Sequence, residues 1–127
     1  MSAALELTIS KTFRFEAAHS FSHEAAGHPF TRLHGHSFEG VLTLTGEAEA
    51  AGGFVADFWQ VERVIQEALS GFDHGYLNEI PDLPTPSLEN IAMTLFRRLS
   101  DRLPGVVEVE IRRPSCGESA RVRRGGR

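Results

Sequence analysis

His34-Gly35-His36-Ser37-Phe38-Glu39-Gly40-Val41-Leu42-Thr43-Leu44-Thr45-Gly46 is a β-compatible run, with Phe38, Val41, Leu42 and Leu44 favouring extended backbone and Gly46 ending it. Side chains two apart on a strand leave from one face, so His34 and His36 project together while Gly35 keeps the opposite face uncrowded. Upstream, residues 5–19 alternate in the same manner, with Leu5, Leu7, Ile9, Phe13, Phe15, Ala17 and His19 on odd positions. Residues 20–33, with Ser, Gly, Pro and polar rings, read as a loop long enough to suspect a functional role. Two strands around a long loop predict a wide antiparallel hairpin. That pairing places His19, at the end of one strand, beside His34 and His36, at the start of the other.

Downstream, Gly52-Gly53 marks a turn and Phe54-Val55-Ala56 a short extended stub. A helix is expected to open at Asp57, with Gln60 completing a capping box; Phe58, Val61, Val64, Ile65, Ala68 and Leu69 form its apolar stripe and Gly71 stops it. Residues 72–83 read as a loop punctuated by Pro84 and Pro86. A second helix starts near Ser87, burying Leu88, Ile91, Leu95, Phe96 and Leu99, and Pro104-Gly105 ends the connection that follows it. Val107, Val109 and Ile111 predict a third strand. Residues 119–124 admit a fourth strand, while Arg121, Arg123, Arg124 and Arg127 also fit a solvated basic tail over 118–127. The order ββααββ predicts an α+β fold, an antiparallel sheet with two helices on one face, in a single domain over residues 1–127.

A chain of 127 residues can bury one core without staples. Its formal net charge of −4 argues against a nucleic-acid binder, which needs a positive surface to neutralise phosphates. A hydrophobic content of 41% with 24% charged residues is globular, not disordered. One cysteine excludes an internal disulfide framework and a Cys-rich zinc module. No apolar run reaches the ~20 residues of a spanning helix, and residues 1–13 lack the apolar centre of a signal peptide. The expectation is a cytoplasmic protein without membrane or nucleic-acid partners.

Three neutral imidazoles with a position left open are the usual layout of a catalytic zinc site, so His19, His34 and His36 are the candidate metal ligands. Imidazole nitrogen favours zinc over magnesium or calcium, which prefer oxygen. A His-x-His pair by itself is also an ordinary hydrogen-bonded strand feature; the third histidine at the end of the neighbouring strand is what points to a metal. His23 and His28, on the loop, read as surface residues. Asp73-His74 is the second candidate: the carboxylate can orient the ring for proton transfer near neutral pH, although such a pair in a loop is also a plain turn. Ser87-Leu88-Glu89-Asn90 is first a helix N-terminus, with Ser87 as cap and Glu89 favourable to the helix dipole, and second a ligand-binding turn.

Phe15-Glu16-Ala17-Ala18-His19, Arg32-Leu33-His34-Gly35-His36-Ser37-Phe38, Val55-Ala56-Asp57-Phe58, Asp73-His74-Gly75-Tyr76-Leu77-Asn78 and Pro86-Ser87-Leu88-Glu89-Asn90 resemble, in order, the motifs of the 6-pyruvoyl-tetrahydropterin synthase family. The resemblance is strongest to its bacterial 6-carboxytetrahydropterin synthase branch, of the queuosine pathway, and runs from about Phe13 to about Val122. It implies the tunnelling fold, a four-stranded antiparallel sheet with two helices on one side, assembled as a homo-oligomer, usually a hexamer. It implies Zn2+ on His19, His34 and His36, proton transfer by Asp73 and His74, and a pterin held at Ser87 and Glu89. The implied substrate is 7,8-dihydroneopterin triphosphate. Two positions depart from the family pattern. Phe30 stands where the family carries a cysteine base. Arg112 aligns with a pterin-anchoring glutamate and has only donors to offer; a register shift brings Glu110 or Glu118 there instead. Cys116, near this strand, reads as structural, with replacement of the lost base as the alternative. These departures leave three readings: a lyase of this type, a zinc paralogue for another acidic heterocycle paired with Arg112 or Arg113, and a non-enzymatic zinc module with His74 buried.

Overall fold

The alternation along residues 6–19 and 34–47 becomes two long strands, β1 (Glu6–His19) and β2 (His34–Glu47), paired antiparallel from Glu6↔Glu47 to His19↔His34. The computed structural model describes residues 5–21, 27–28, 31–47 and 50–125. On one face of the pair Phe13, Phe15, Ala17, His19, Phe38, Leu42 and Leu44 are buried; on the other Arg14, Glu16 and Ser37 reach solvent. Gly40 sits opposite Phe13 in register, and a Cβ there would run into the Phe13 ring.

The helices that cover the buried face are α1 (Phe58–Ala68) and α2 (Leu88–Ser100), and their inner residues join the sheet in one hydrophobic cluster. Asp57 caps α1, its carboxylate accepting from Trp59 N–H at 3.0 Å, two residues on rather than from the Gln60 position. Val61, Val64, Ile65 and Ala68 are buried as expected, whereas Phe58, in the first turn, stays 49% exposed beside exposed Trp59 and Phe54. Ser87 caps α2 through Asn90 N–H at 3.1 Å. Arg98 ties α2 to the segment before it, bonding Asp82 and the carbonyls of Ala68 and Ser70.

The remaining strands are β3 (Gly75–Tyr76), β4 (Val106–Arg113) and β5 (Glu118–Arg123), and the sheet order is β3-β1-β2-β4-β5. This corrects the expected four-stranded antiparallel sheet in ββααββ order: the described residues form a sheet of five strands, and β3 runs parallel to β1 through Ala17↔Gly75 and Ala18↔Tyr76. A two-residue strand is too short to carry an alternation signal. It exists because the turn before it is clipped to β1, with His74 N–H donating to Glu16 O at 2.6 Å and Asp73 Oδ1 accepting from Glu16 N–H at 2.9 Å. The tail reading is corrected as well. Residues 118–123 pair antiparallel with β4 from Arg113↔Glu118 to Glu108↔Arg123. Arg123 pairs with Glu108 at 3.1 Å, and the Arg124 guanidinium stacks over Phe96 at 5.3 Å. Arg127 lies outside the described residues.

Candidate functional site

The antiparallel register decides where the three histidines go. His19 is directly opposite His34, and Ala17 is opposite His36, so all three rings continue the inward row at the end of the β1–β2 ladder. Ring centroids are 4.5 Å apart for His19–His34, 4.9 Å for His34–His36 and 5.1 Å for His19–His36. One nitrogen from each ring lies within 4.8 Å of the others, close enough to hold a metal ion together. Phe21 and Phe38 wall the cluster, 4.8 Å and 6.0 Å from the His19 ring.

The tautomers suit metal binding. His19 Nδ1 is 2.9 Å from the carbonyl of Pro86, and His34 Nδ1 is 2.7 Å from that of Arg32. Each carbonyl accepts an Nδ1–H, which places the ring's lone pair on Nε2, the atom that would bind an ion. His36 turns Nδ1 to Cys116 Sγ at 4.0 Å. His19 is fully buried and its Nε2 has no partner among the described residues, a cost that a bound cation would remove. Burial pushes the His19 pKa down to about 4, with His34, His36 and Arg113 adding to the fall. Burial, then the Arg113 charge, also lowers that of His36. Both rings are therefore neutral near pH 7, as ligands must be. The donor set fits a metal that accepts imidazole nitrogen and is a poor match for magnesium or calcium.

Asp73 and His74 occupy the edge of β1 that β3 extends. His74 adopts φ 58°, the left-handed region that a non-glycine residue enters at a cost. Its Nδ1 is 3.2 Å from Asp73 Oδ2, and its side chain is 81% exposed. The bond from Glu16 N–H, foremost, and the His74 side chain hold the Asp73 carboxyl below its usual range, so it is ionised at neutral pH. The contacts of His74 run to Asp73 and Glu16, not to the three histidines.

The other expected binding residues divide. Ser87 follows Pro86, whose carbonyl holds His19, so the α2 N-terminus is fastened to the histidine cluster, with Glu89 exposed on its first turn. Arg112 is committed elsewhere, its two terminal nitrogens reaching Glu39 at 3.2 Å and Glu110 at 2.9 Å. Phe30 and His23 lie outside the described residues. The His28 carbonyl accepts from Thr31 N–H and Oγ1–H and closes a turn. The carbonyl of Pro86, the thiol of Cys116 and the side chain of Arg113 were not assigned to the cluster from sequence. Pro86 was legible only as part of the α2 start, not as a partner of His19.

A family model described as 6-pyruvoyl tetrahydropterin synthase matches residues 8–125. The chain is 35% identical over 119 residues to a 6-carboxy-5,6,7,8-tetrahydropterin synthase from Synechocystis, covering 89% of this chain and 90% of that protein. It is 36% identical over 104 residues to a dihydroneopterin monophosphate aldolase from Pyrococcus furiosus, covering 82% of each. Among solved structures, the 6-pyruvoyl tetrahydropterin synthase of Caenorhabditis elegans superposes with a TM-score of 0.84 at 18% identity, over 98% of this chain and 100% of that one.

Proposed function

Because the chain belongs to the 6-pyruvoyl tetrahydropterin synthase family, we propose that it is a zinc-dependent lyase of the 6-carboxytetrahydropterin synthase type. Its substrate is 7,8-dihydroneopterin triphosphate or a close relative, and its product a pterin that serves as a precursor in pterin or queuosine biosynthesis. The observation that carries this reading is the buried Nε2 of His19, without a hydrogen-bond partner among the described residues, in a cluster with two further imidazoles. His19, His34 and His36 would hold the zinc, which when bound supplies a Lewis acid that polarises hydroxyl and carbonyl oxygens.

The chain's own groups do the rest. Ionised Asp73 accepts the Nδ1–H of His74 and leaves His74 Nε2 as the atom that takes or gives a proton. The Glu16 backbone, bonded to both residues, holds that pair in place against β1. Ser87 and Glu89, beside the carbonyl that orients His19, form one rim of the substrate site. The exposure of His74 supports an enzyme over a purely structural zinc module, in which that ring would be buried.

Relatives of nearly equal identity carry two different activities, a carboxytetrahydropterin synthase and a monophosphate aldolase. A second reading, a paralogue for another acidic heterocycle, is favoured by Arg112, whose donors already serve Glu39 and Glu110 where a pterin-anchoring acceptor is expected. Zinc-loaded protein incubated with 7,8-dihydroneopterin triphosphate separates the two. A change in pterin absorbance that is lost in His74→Ala is expected. No turnover and no pterin binding by the metal-loaded protein would overturn the first reading.

A further inference from the structure

Three neutral histidines holding a divalent cation leave a strongly positive site, and one more positive group stands beside it. Val109 and Ile111 are buried on the inward face of β4, so Arg113, two residues on, leaves the strand toward the same side. The β2–β4 register runs Gly40↔Ile111 and Glu39↔Arg112. One further step sets Arg113 level with Phe38, two residues from His36. The turn that follows places Cys116 Sγ 4.0 Å from His36 Nδ1, so this end of β4 lies beside the histidines.

The Arg113 side chain is only 12% exposed. Nη2 lies 2.8 Å from Glu118 Oε1 on β5, while Nε is buried with no hydrogen-bond partner among the described residues. Its positive charge is felt at both His36 and His19. A buried guanidinium donor without an acceptor is costly, so the Arg113 side chain gains by turning toward a ligand that supplies one. Arg112 next to it cannot serve, since its arms are on Glu39 and Glu110.

We infer that Arg113 is the anion-recognising residue of this site: paired with Glu118 when no ligand is bound, it exchanges that carboxylate for a carboxylate or phosphate oxygen of the substrate beside His36. This rests on reading the histidine cluster as a metal-assisted active site. It narrows the substrate to small molecules with an anionic group next to the reacting centre. Neighbouring arginines on one strand then have separate duties, Arg112 bracing the sheet and Arg113 selecting the ligand.

The test is an anion titration of cobalt-loaded protein, followed by visible absorbance and, with and without cobalt, by calorimetry. Inorganic phosphate and acetate are the probes, and the one that binds tighter identifies the anionic group. Arg113→Gln is expected to weaken binding at least tenfold and Arg113→Lys to restore it to within about threefold of the parent. Glu118→Gln, which removes a competing carboxylate, should tighten binding a few-fold, and Arg121→Gln should leave it unchanged. Equal affinity in the parent and Arg113→Gln, or no anion binding by the parent, overturns the inference. Should Arg113→Gln fail to fold, Glu118→Gln decides: tighter binding supports the inference, equal or weaker binding overturns it. Failure to take up cobalt, with the anion response to Arg113 intact in calorimetry, sinks the metal reading alone.

Discussion

Each of the three histidines turns one ring nitrogen to a partner supplied elsewhere in the chain: Pro86 for His19, Arg32 for His34, Cys116 for His36. These partners differ in strength, and so should their removal. His19→Ala deletes a ligand and leaves the Pro86 carbonyl without its donor, so zinc content by elemental analysis should fall from one equivalent to near zero. The metal-free variant should also lose about 1–3 kcal/mol in a denaturant melt. Cys116→Ala removes a contact at 4.0 Å, the far edge of what sulfur can accept. Metal affinity by competitive chelation should fall less than tenfold, at or below the low end of outer-partner effects. The triad was legible in sequence because alternation along one hairpin fixes which side chains share a face and which residues meet. The partners were not. Pro86 and Cys116 lie 67 and 80 residues from the histidines they touch, and no local pattern records such a contact.

Both helices and the strands β1, β2 and β4 were legible because each carries a period, 3.6 or 2, over enough residues to be read, whereas β5, arginine-rich and mostly exposed, fitted a basic tail as well as a strand. The two-residue β3 carries none, and its existence depends on a tertiary clip between the Asp73-His74 turn and Glu16. That clip makes Asp73 a stability element as well as part of the proton-transfer pair. Its carboxyl is held below the ordinary value of 3.8, first by the Glu16 N–H. The folded state therefore favours the ionised form. The contribution is present above the unfolded pKa and is lost as pH falls through the lower, folded one. Asp73→Asn should flatten the loss of stability below about pH 4 in an acid titration followed by circular dichroism. A curve superposable on the parent would show that the clip contributes nothing. Ser87 carries two expectations that a single variant separates. As the α2 cap it bonds Asn90 N–H at 3.1 Å, so Ser87→Ala should cost about 1 kcal/mol in a melt. A rise in KM at temperatures where the variant is fully folded would add the substrate role to the cap.

The sheet is open at the level of the whole molecule. β3 and β5 are its terminal strands, and among the described residues each is paired along one side only. An unpaired strand edge is a template for another chain unless it is short, charged or covered. β3 manages this by length, with two residues. β5 is longer, six residues, and its charges are partly spent: Glu118 pairs with Arg113 and Arg123 with Glu108, across to β4 rather than outward. Exposed Phe54, Phe58 and Trp59 add an apolar patch at the start of α1. Both features suit the homo-oligomer expected from the family resemblance, whose subunits would then pair through the β5 edge. Light scattering at micromolar concentration should then give a mass that is a multiple of 14.0 kDa. Arg121→Pro, at an exposed position on β5, should shift that mass toward one chain by removing a backbone donor and bending the edge. A melting temperature close to that of the parent at matched monomer mass would show that the loss is one of pairing and not of fold. A parent protein that is monomeric at these concentrations would leave the β5 edge protected by its arginines alone, and would require a complete site within one chain.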